Sequence, residues 1–168
     1  PFAMTEQTLP DIDPPRFETR DAFTVAGLRV RYGTMGNSST VEIPQQWQRL
    51  APYMGHIADA VGDLAYGVFY DFDGDAGGFT YIAGVEVSRT DEMPREFESL
   101  RIPKQRYAVF THRGHISTIP QTMQAIWQKG IVAANLKPAD SASFERYDER
   151  FNPTTGEGDV EVWMALED

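Results

Sequence analysis

Gly84-Val85-Glu86-Val87 closes an apolar run, and Asp159-Val160-Glu161-Val162 echoes it 75 residues later. Ile43-Pro44-Gln45 returns as Ile119-Pro120-Gln121 at nearly the same spacing, 76 residues on. Each echo alone is weak, but both fall at corresponding places in two similar strings of elements. The pair predicts an internal duplication, with one module over about 16–90 and a second over about 101–168.

Each module reads as strand, helix, strand, strand. Arg16 to Tyr32 is β-branched and aromatic, a long or broken strand with a bend expected at Gly27. A helix is expected from Thr40 or Glu42, with Pro44 in its first turn and Trp47, Leu50 and Ala51 on one face. Tyr66–Phe72 and Phe79–Val87 form a hairpin around Asp73–Gly78. Arg89–Arg101 is charged and is expected as a crossover loop. Gln105–Thr111 opens the second module. Ser117 is the expected N-cap of its helix, where Ile119, Met123, Ile126 and Trp127 make a stripe that reads as core. Ser143–Phe151 and Asp159–Leu166 are the last strands. The expected fold is α+β, a pseudo-twofold pair of βαββ modules. Their mainly antiparallel sheet carries helices on one side and a ligand groove between modules.

Composition narrows the function. The 168 residues contain no cysteine, which removes disulfide, thiolate and thiolate–metal chemistry. A net charge of −10 disfavours a phosphate backbone as partner. No apolar stretch approaches a membrane span and no signal pattern opens the chain, so the cytoplasm is the expected location. Residues 1–15 read as a cloning scar, Pro1-Phe2-Ala3 before Met4, and a proline-rich leader. Residues 16–168 are expected as one domain.

No metal site or cofactor is expected. Asp71-Phe72-Asp73-Gly74-Asp75 has glycine at the fourth position and Ile82 at the twelfth, which breaks the calcium-loop pattern. His112 and His115 lack a third ligand. No glycine-rich phosphate loop opens a helix.

One charged position stands out within the second module, Glu145 in Ser143-Phe144-Glu145-Arg146-Tyr147. Strand alternation places Glu145 and Tyr147 on one face. With Tyr147 and Trp163 in the groove, Glu145 looks out from an aromatic wall. A carboxylate held away from water is costly, and a docking cation relieves that cost. Aromatic faces add cation–π attraction. The bland alternative is a solvent-facing glutamate paired with Arg146 or Arg150. Glu86 and Glu161 recur in both modules and read as structural.

Several stretches, in order, resemble the effector-binding domains of AraC- and MerR-type regulators and the stand-alone GyrI-like proteins. They are Ala26-Gly27, Ile43-Pro44 with Trp47, Tyr66-Gly67-Val68, and Tyr81-Ile82-Ala83-Gly84-Val85-Glu86-Val87. Tyr107-Ala108-Val109-Phe110-Thr111-His112-Arg113-Gly114, Phe144-Glu145-Arg146-Tyr147 and Val160-Glu161-Val162-Trp163 follow. The resemblance runs from about Arg16 to the C-terminus. It implies a module binding small amphipathic, often cationic, compounds, with the glutamate at the Glu145 position meeting the positive centre. Tyr147, Trp163, Tyr81, Tyr107, Phe110 and Tyr66 are the expected aromatic contacts.

The expectation is a stand-alone sensor or sequestering domain, a binder rather than an enzyme. It would not bind nucleic acid or membrane directly, and a separate regulatory protein would hear its signal. One alternative is hydrolysis of strained electrophiles, with Glu145 as base and Tyr147 or Tyr107 as proton donor. Another is inhibition of a topoisomerase by protein contact.

Overall fold

A computed structural model describes residues 9–33, 37–74 and 77–168. The start of the expected leader and parts of the loops expected around residues 33–39 and 73–78 lie outside these. For residues 37–40 only the backbone is described.

The described strands are β1 (Arg16–Arg20), β2 (Phe23–Tyr32), β3 (Ala65–Asp73), β4 (Gly78–Val87), β5 (Glu98–Ile102), β6 (Gln105–His112), β7 (Ser143–Tyr147) and β8 (Val160–Ala165). They form one antiparallel sheet in the order β1-β6-β8-β7-β3-β4-β2-β5. This order reads alike from both edges and meets at the β7–β3 ladder. Helix α1 (Asn37–Leu50) joins β2 to β3. Helix α2 (Ile119–Ala125) joins β6 to β7, running on through a π-turn (Ile126–Gly130) into α3 (Ile131–Ala133). The strand–helix–strand–strand order therefore occurs twice, as the sequence predicts.

Several boundaries differ from the sequence expectation. Of the two forms expected for the first strand, long or broken, the broken one occurs, with the break at Asp21-Ala22 rather than a bend at Gly27. Gly27 stays inside β2 opposite Gly84, where a Cβ on either would meet the partner backbone at about 2 Å. The expected crossover loop contains β5, a charged edge strand. Pro44 lies inside α1 rather than in its first turn. His115, not Ser117, provides the cap before α2, its ring accepting from the Ser117 N–H at 3.1 Å.

Short links curl the sheet. Two residues join β1, on one edge, to β2, next to the other edge. Three Cα steps span at most roughly 11 Å, so the two edges approach one another at that end. Arg20 of β1 accordingly reaches across to donate to the Tyr66 hydroxyl of β3 (2.8 Å) and to Glu86 of β4 (2.7 Å).

Alternation gives the sheet two apolar faces. Phe23, Tyr66, Ile82, Tyr107, Phe144 and Trp163 form the core inside the curl. The other face carries both helices. Leu50 and Trp47 of α1 pack over Tyr81, Ala83 and Val85. Ile126 and Met123 of the second helical segment pack over Phe110, Val162 and Met164. Glu145 lies on this helix face, on the central strand β7.

Candidate functional site

Three neighbours fix Glu145 in the ladder. Phe144, one residue back, turns into the opposite core, so Glu145 must face the helices. Across the ladder it stands against Gly67 of β3 on one side and Val162 of β8 on the other. Only 4% of Glu145 is accessible to solvent. A glutamate on a solvated strand face is thereby excluded.

Gly67 makes the arrangement possible. A Cβ at this position would lie 2.0 Å from the Tyr81 hydroxyl and 2.6 Å from Oε1 of Glu145. The empty space lets Tyr81 of β4 reach over β3 and donate to Glu145 Oε1 at 2.8 Å. Tyr147, two residues along β7 on the same face, donates to the same oxygen at 3.0 Å. Among the described residues Oε2 receives no hydrogen bond.

Helix α1 covers the carboxyl. Gln46 is buried and donates to the carbonyls of Leu28 (2.7 Å) and Tyr81 (3.0 Å), while the Tyr32 hydroxyl donates to its side chain. That pins the helix to β2 and β4. The next residue, Trp47, donates from Nε1 to the Tyr81 hydroxyl at 2.9 Å. Its ring meets Tyr147 edge-on at 5.1 Å. A directed chain results: the Trp47 N–H to Tyr81, Tyr81 to Glu145, and Tyr147 to Glu145.

Burial is the main electrostatic force here. It pushes the Glu145 carboxyl up to about 7, although the Tyr81 and Tyr147 hydrogen bonds pull the other way. Burial, reinforced by the neighbouring carboxyl, holds both phenols well above their ordinary value, so they stay protonated donors. Among the described residues no cationic side chain pairs with Glu145. Arg146 and Arg150, its expected partners on the bland reading, turn to Glu161 instead, at 3.7 and 3.1 Å.

The structure brings Tyr81 and Tyr147 to Glu145 and leaves the other expected aromatics elsewhere. Trp163 stacks on Phe144 at 5.3 Å in the opposite core, and its Nε1 donates to Glu161 at 3.0 Å. The reason is register: Phe144 and Trp163 are direct partners across the β7–β8 ladder, which puts them on one face and Glu145 on the other. Tyr107 and Tyr66 pack against Phe144 in that same core, at 5.2 and 5.5 Å. The Tyr107 hydroxyl is buried there without a partner, on the far side of the sheet from Glu145. Phe110 shares the helix face but sits two strands away, with Val162 between, under the second helical segment.

Glu86 and Glu161 take the structural part expected of them. Each faces the inside of the curl and pairs with an arginine of β1, Glu86 with Arg20 and Glu161 with Arg16. Trp127, expected in the core, is 54% exposed. Ile126 and Ile131 face the sheet five residues apart across the π-turn, which leaves Trp127 outside. His112 is a buried packing residue, bonded to the Thr122 hydroxyl (2.6 Å) and the His115 carbonyl (3.1 Å). Among the described residues no metal-binding group of side chains occurs. No described helix is long and apolar enough to cross a membrane.

Trp47 and Gly67 adjoin the candidate site, and the sequence did not single them out as neighbours of Glu145. Trp47 was visible as a member of a helical stripe and, with Ile43-Pro44, in the family resemblance, but not as a neighbour of Glu145. A glycine inside a strand signals a close approach, but nothing local says that the approaching group is Tyr81.

A cavity of about 340 Å³ lined by Tyr70, Leu100, Pro103 and Ala142 opens against the opposite core, away from Glu145. The Glu145 carboxyl is buried and does not line that opening.

Comparison with known proteins bears on the family and the fold. Transcriptional regulator BrlR of Pseudomonas aeruginosa is 31% identical over 153 residues, covering 90% of this chain and 54% of the regulator. The chain thus spans about half the length of that curated relative. The structure of SAV2435 bound to tetraphenylphosphonium superposes with a TM-score of 0.75 at 18% identity, covering 92% of this chain and 94% of that one. The EcmrR C-terminal domain follows at 0.62 and 12% identity, covering 94% and 98%. These two likenesses establish the shared fold. Residues 13–167 match the GyrI-like small molecule binding domain, and the chain belongs to that family.

Proposed function

We propose that this domain binds small amphipathic organic cations, with Glu145 as the counter-ion, and serves as a sensor or sequestering module. The observation that carries the reading is a buried carboxyl with no cationic partner among the described residues, hydrogen-bonded by Tyr81 and Tyr147, with Trp47 packed against both tyrosines. A carboxylate there is costly, and a ligand cation supplies what the described residues do not. Each ring face adds roughly 0.5–2 kcal/mol of cation–π attraction. The family match, a transcriptional regulator among the relatives, and a similar fold holding tetraphenylphosphonium all support it.

Entry requires movement, because Glu145 is covered. Trp47 is the element to displace: it is only partly buried, and beside its packing on the helix face of the sheet it is tied to the site by one hydrogen bond to Tyr81 and one ring contact with Tyr147. Titration of Trp47 emission, in protein carrying Trp127→Phe and Trp163→Phe so that Trp47 alone emits, with a panel of cationic, neutral and anionic dyes tests the proposal. Cationic members should bind and quench. Equal affinity for anionic members defeats it.

A second reading has its own support in the near-neutral carboxyl, which suits general-base work beside two phenol donors. Tyr147 and Tyr81 fit the donor role, whereas Tyr107 is on the far face. Mass spectrometry after incubation with epoxide or cyclopropane electrophiles decides it. Product formation that vanishes in Glu145→Gln supports hydrolysis; no product leaves binding alone.

A further inference from the structure

We infer that an organic cation enters this site in exchange for a proton held on Glu145, so that binding delivers one proton to solvent. The inference rests on the cation reading above and adds what occupies the carboxyl before the ligand arrives.

Among the described residues, no element packed around the carboxyl provides a compensating charge. From β3 comes Gly67, from β8 Val162, and from α1 the neutral indole of Trp47. From β4 and β7 come the phenols of Tyr81 and Tyr147, both titratable and both held protonated. The second helical segment turns Met123 and Ile126 toward the sheet. His112 of β6 shares the sheet face, but its two ring nitrogens are engaged by Thr122 and the His115 carbonyl. Arg146 turns to the opposite face, where its Nε lies 3.7 Å from Glu161.

Both phenols converge on Oε1, so Oε2 is the oxygen left to carry a proton. Two neutral hydrogen bonds do not offset the removal of a full charge from water. The carboxyl titrates near 7 in the free protein for that reason. A cation placed against it favours the ionised form and lowers that value. The exchange balances: the carboxylic acid and the free cation become the carboxylate–cation pair and a proton. By linkage, cation affinity rises about tenfold per pH unit below the free midpoint and levels off above it.

Tetraphenylphosphonium is the probe, because its charge is permanent and it has no titratable group. Isothermal titration at about pH 6 is run in two buffers of different ionisation enthalpy and repeated at about pH 8.5. Release of close to one proton is expected at the lower pH, with affinity roughly 10-fold weaker than at the higher. Release should fall toward zero at the higher pH. Glu145→Gln should abolish both the proton release and the pH slope. Independently, the side-chain carboxyl carbon of Glu145 in labelled wild-type protein should titrate near 7 when free, and well lower with the probe bound. Binding with equal affinity at both pH values and no proton release overturns the exchange and leaves the cation reading intact. Absence of binding at both pH values removes the cation reading itself.

Discussion

Gly67 and Glu145 face one another across the β3–β7 ladder, and the missing side chain of one is the space in which the other receives its hydrogen bond. Tyr81 fills that space from the next strand, reaching Oε1 at 2.8 Å. Gly67→Ala places a methyl where the phenol oxygen now lies. The expected result is a loss of about 1–3 kcal/mol, read by denaturant unfolding. Trp47 emission should shift as Tyr81 is displaced. An unchanged midpoint and unchanged emission would show that the strands tolerate the methyl and that Gly67 does not set this geometry.

Tyr81→Phe separates the two links that meet at the Tyr81 hydroxyl. It removes both the acceptor for Trp47 and a donor to Glu145. A cost of about 1–2 kcal/mol is expected, together with a more mobile Trp47, measured by fluorescence anisotropy decay. Tyr147→Phe removes a donor to Glu145 without touching the Trp47 N–H. Both variants should move the Glu145 midpoint further up, because each deletes a hydrogen bond that favours the carboxylate.

The buried carboxyl also makes stability depend on pH in a defined direction. Its folded value lies near 7, above the ordinary 4.5, so the folded state holds the extra proton between these values. The neutral form's advantage is fully present below 4.5 and is lost as pH rises through 7. The loss is on the order of 3 kcal/mol across that window. Glu145→Gln should flatten this slope and raise stability at pH values above it, as measured by urea titrations at a series of pH values. A wild-type slope identical to the variant's would place the titration elsewhere.

Trp163→Phe tests the division between the two faces. Trp163 stacks on Phe144 and donates to Glu161, on the side away from Glu145. Loss of the N–H and of part of the stacking area should cost about 1–2 kcal/mol. Cation affinity should remain within about twofold, since nothing at Glu145 changes. A selective loss of affinity at unchanged stability would mean that the far face contributes to the site.

Part of this site was legible because strand alternation is strict. Glu145 and Tyr147 had to share a face, and the repeated strand–helix–strand–strand order predicted the architecture that β2-α1-β3-β4 and β6-α2-β7-β8 display. Alternation says nothing about the faces of different strands relative to one another. Trp163 was assigned to the face of Tyr147, yet its ladder partner is Phe144. Tyr66 and Tyr107 missed the site for the same reason. Strand β5 was hidden by its composition, Glu98-Ser99-Leu100-Arg101-Ile102, because an edge strand carries charges that resemble a loop. Trp127 obeyed an ordinary helical period, whereas the helix inserts a π-turn and rotates it outward.

Shape and charge can be separated in one comparison, because tetraphenylphosphonium and tetraphenylborate have nearly the same outline and opposite sign. Their dissociation constants are measured for the wild type and Glu145→Gln at a pH above the carboxyl's midpoint. Wild-type protein should prefer the phosphonium by roughly 100-fold or more, equivalent to about 3 kcal/mol, and the variant should lose most of that preference. Equal affinity for both ions in the wild type, or a phosphonium preference untouched by Glu145→Gln, would contradict the assignment of Glu145 as counter-ion.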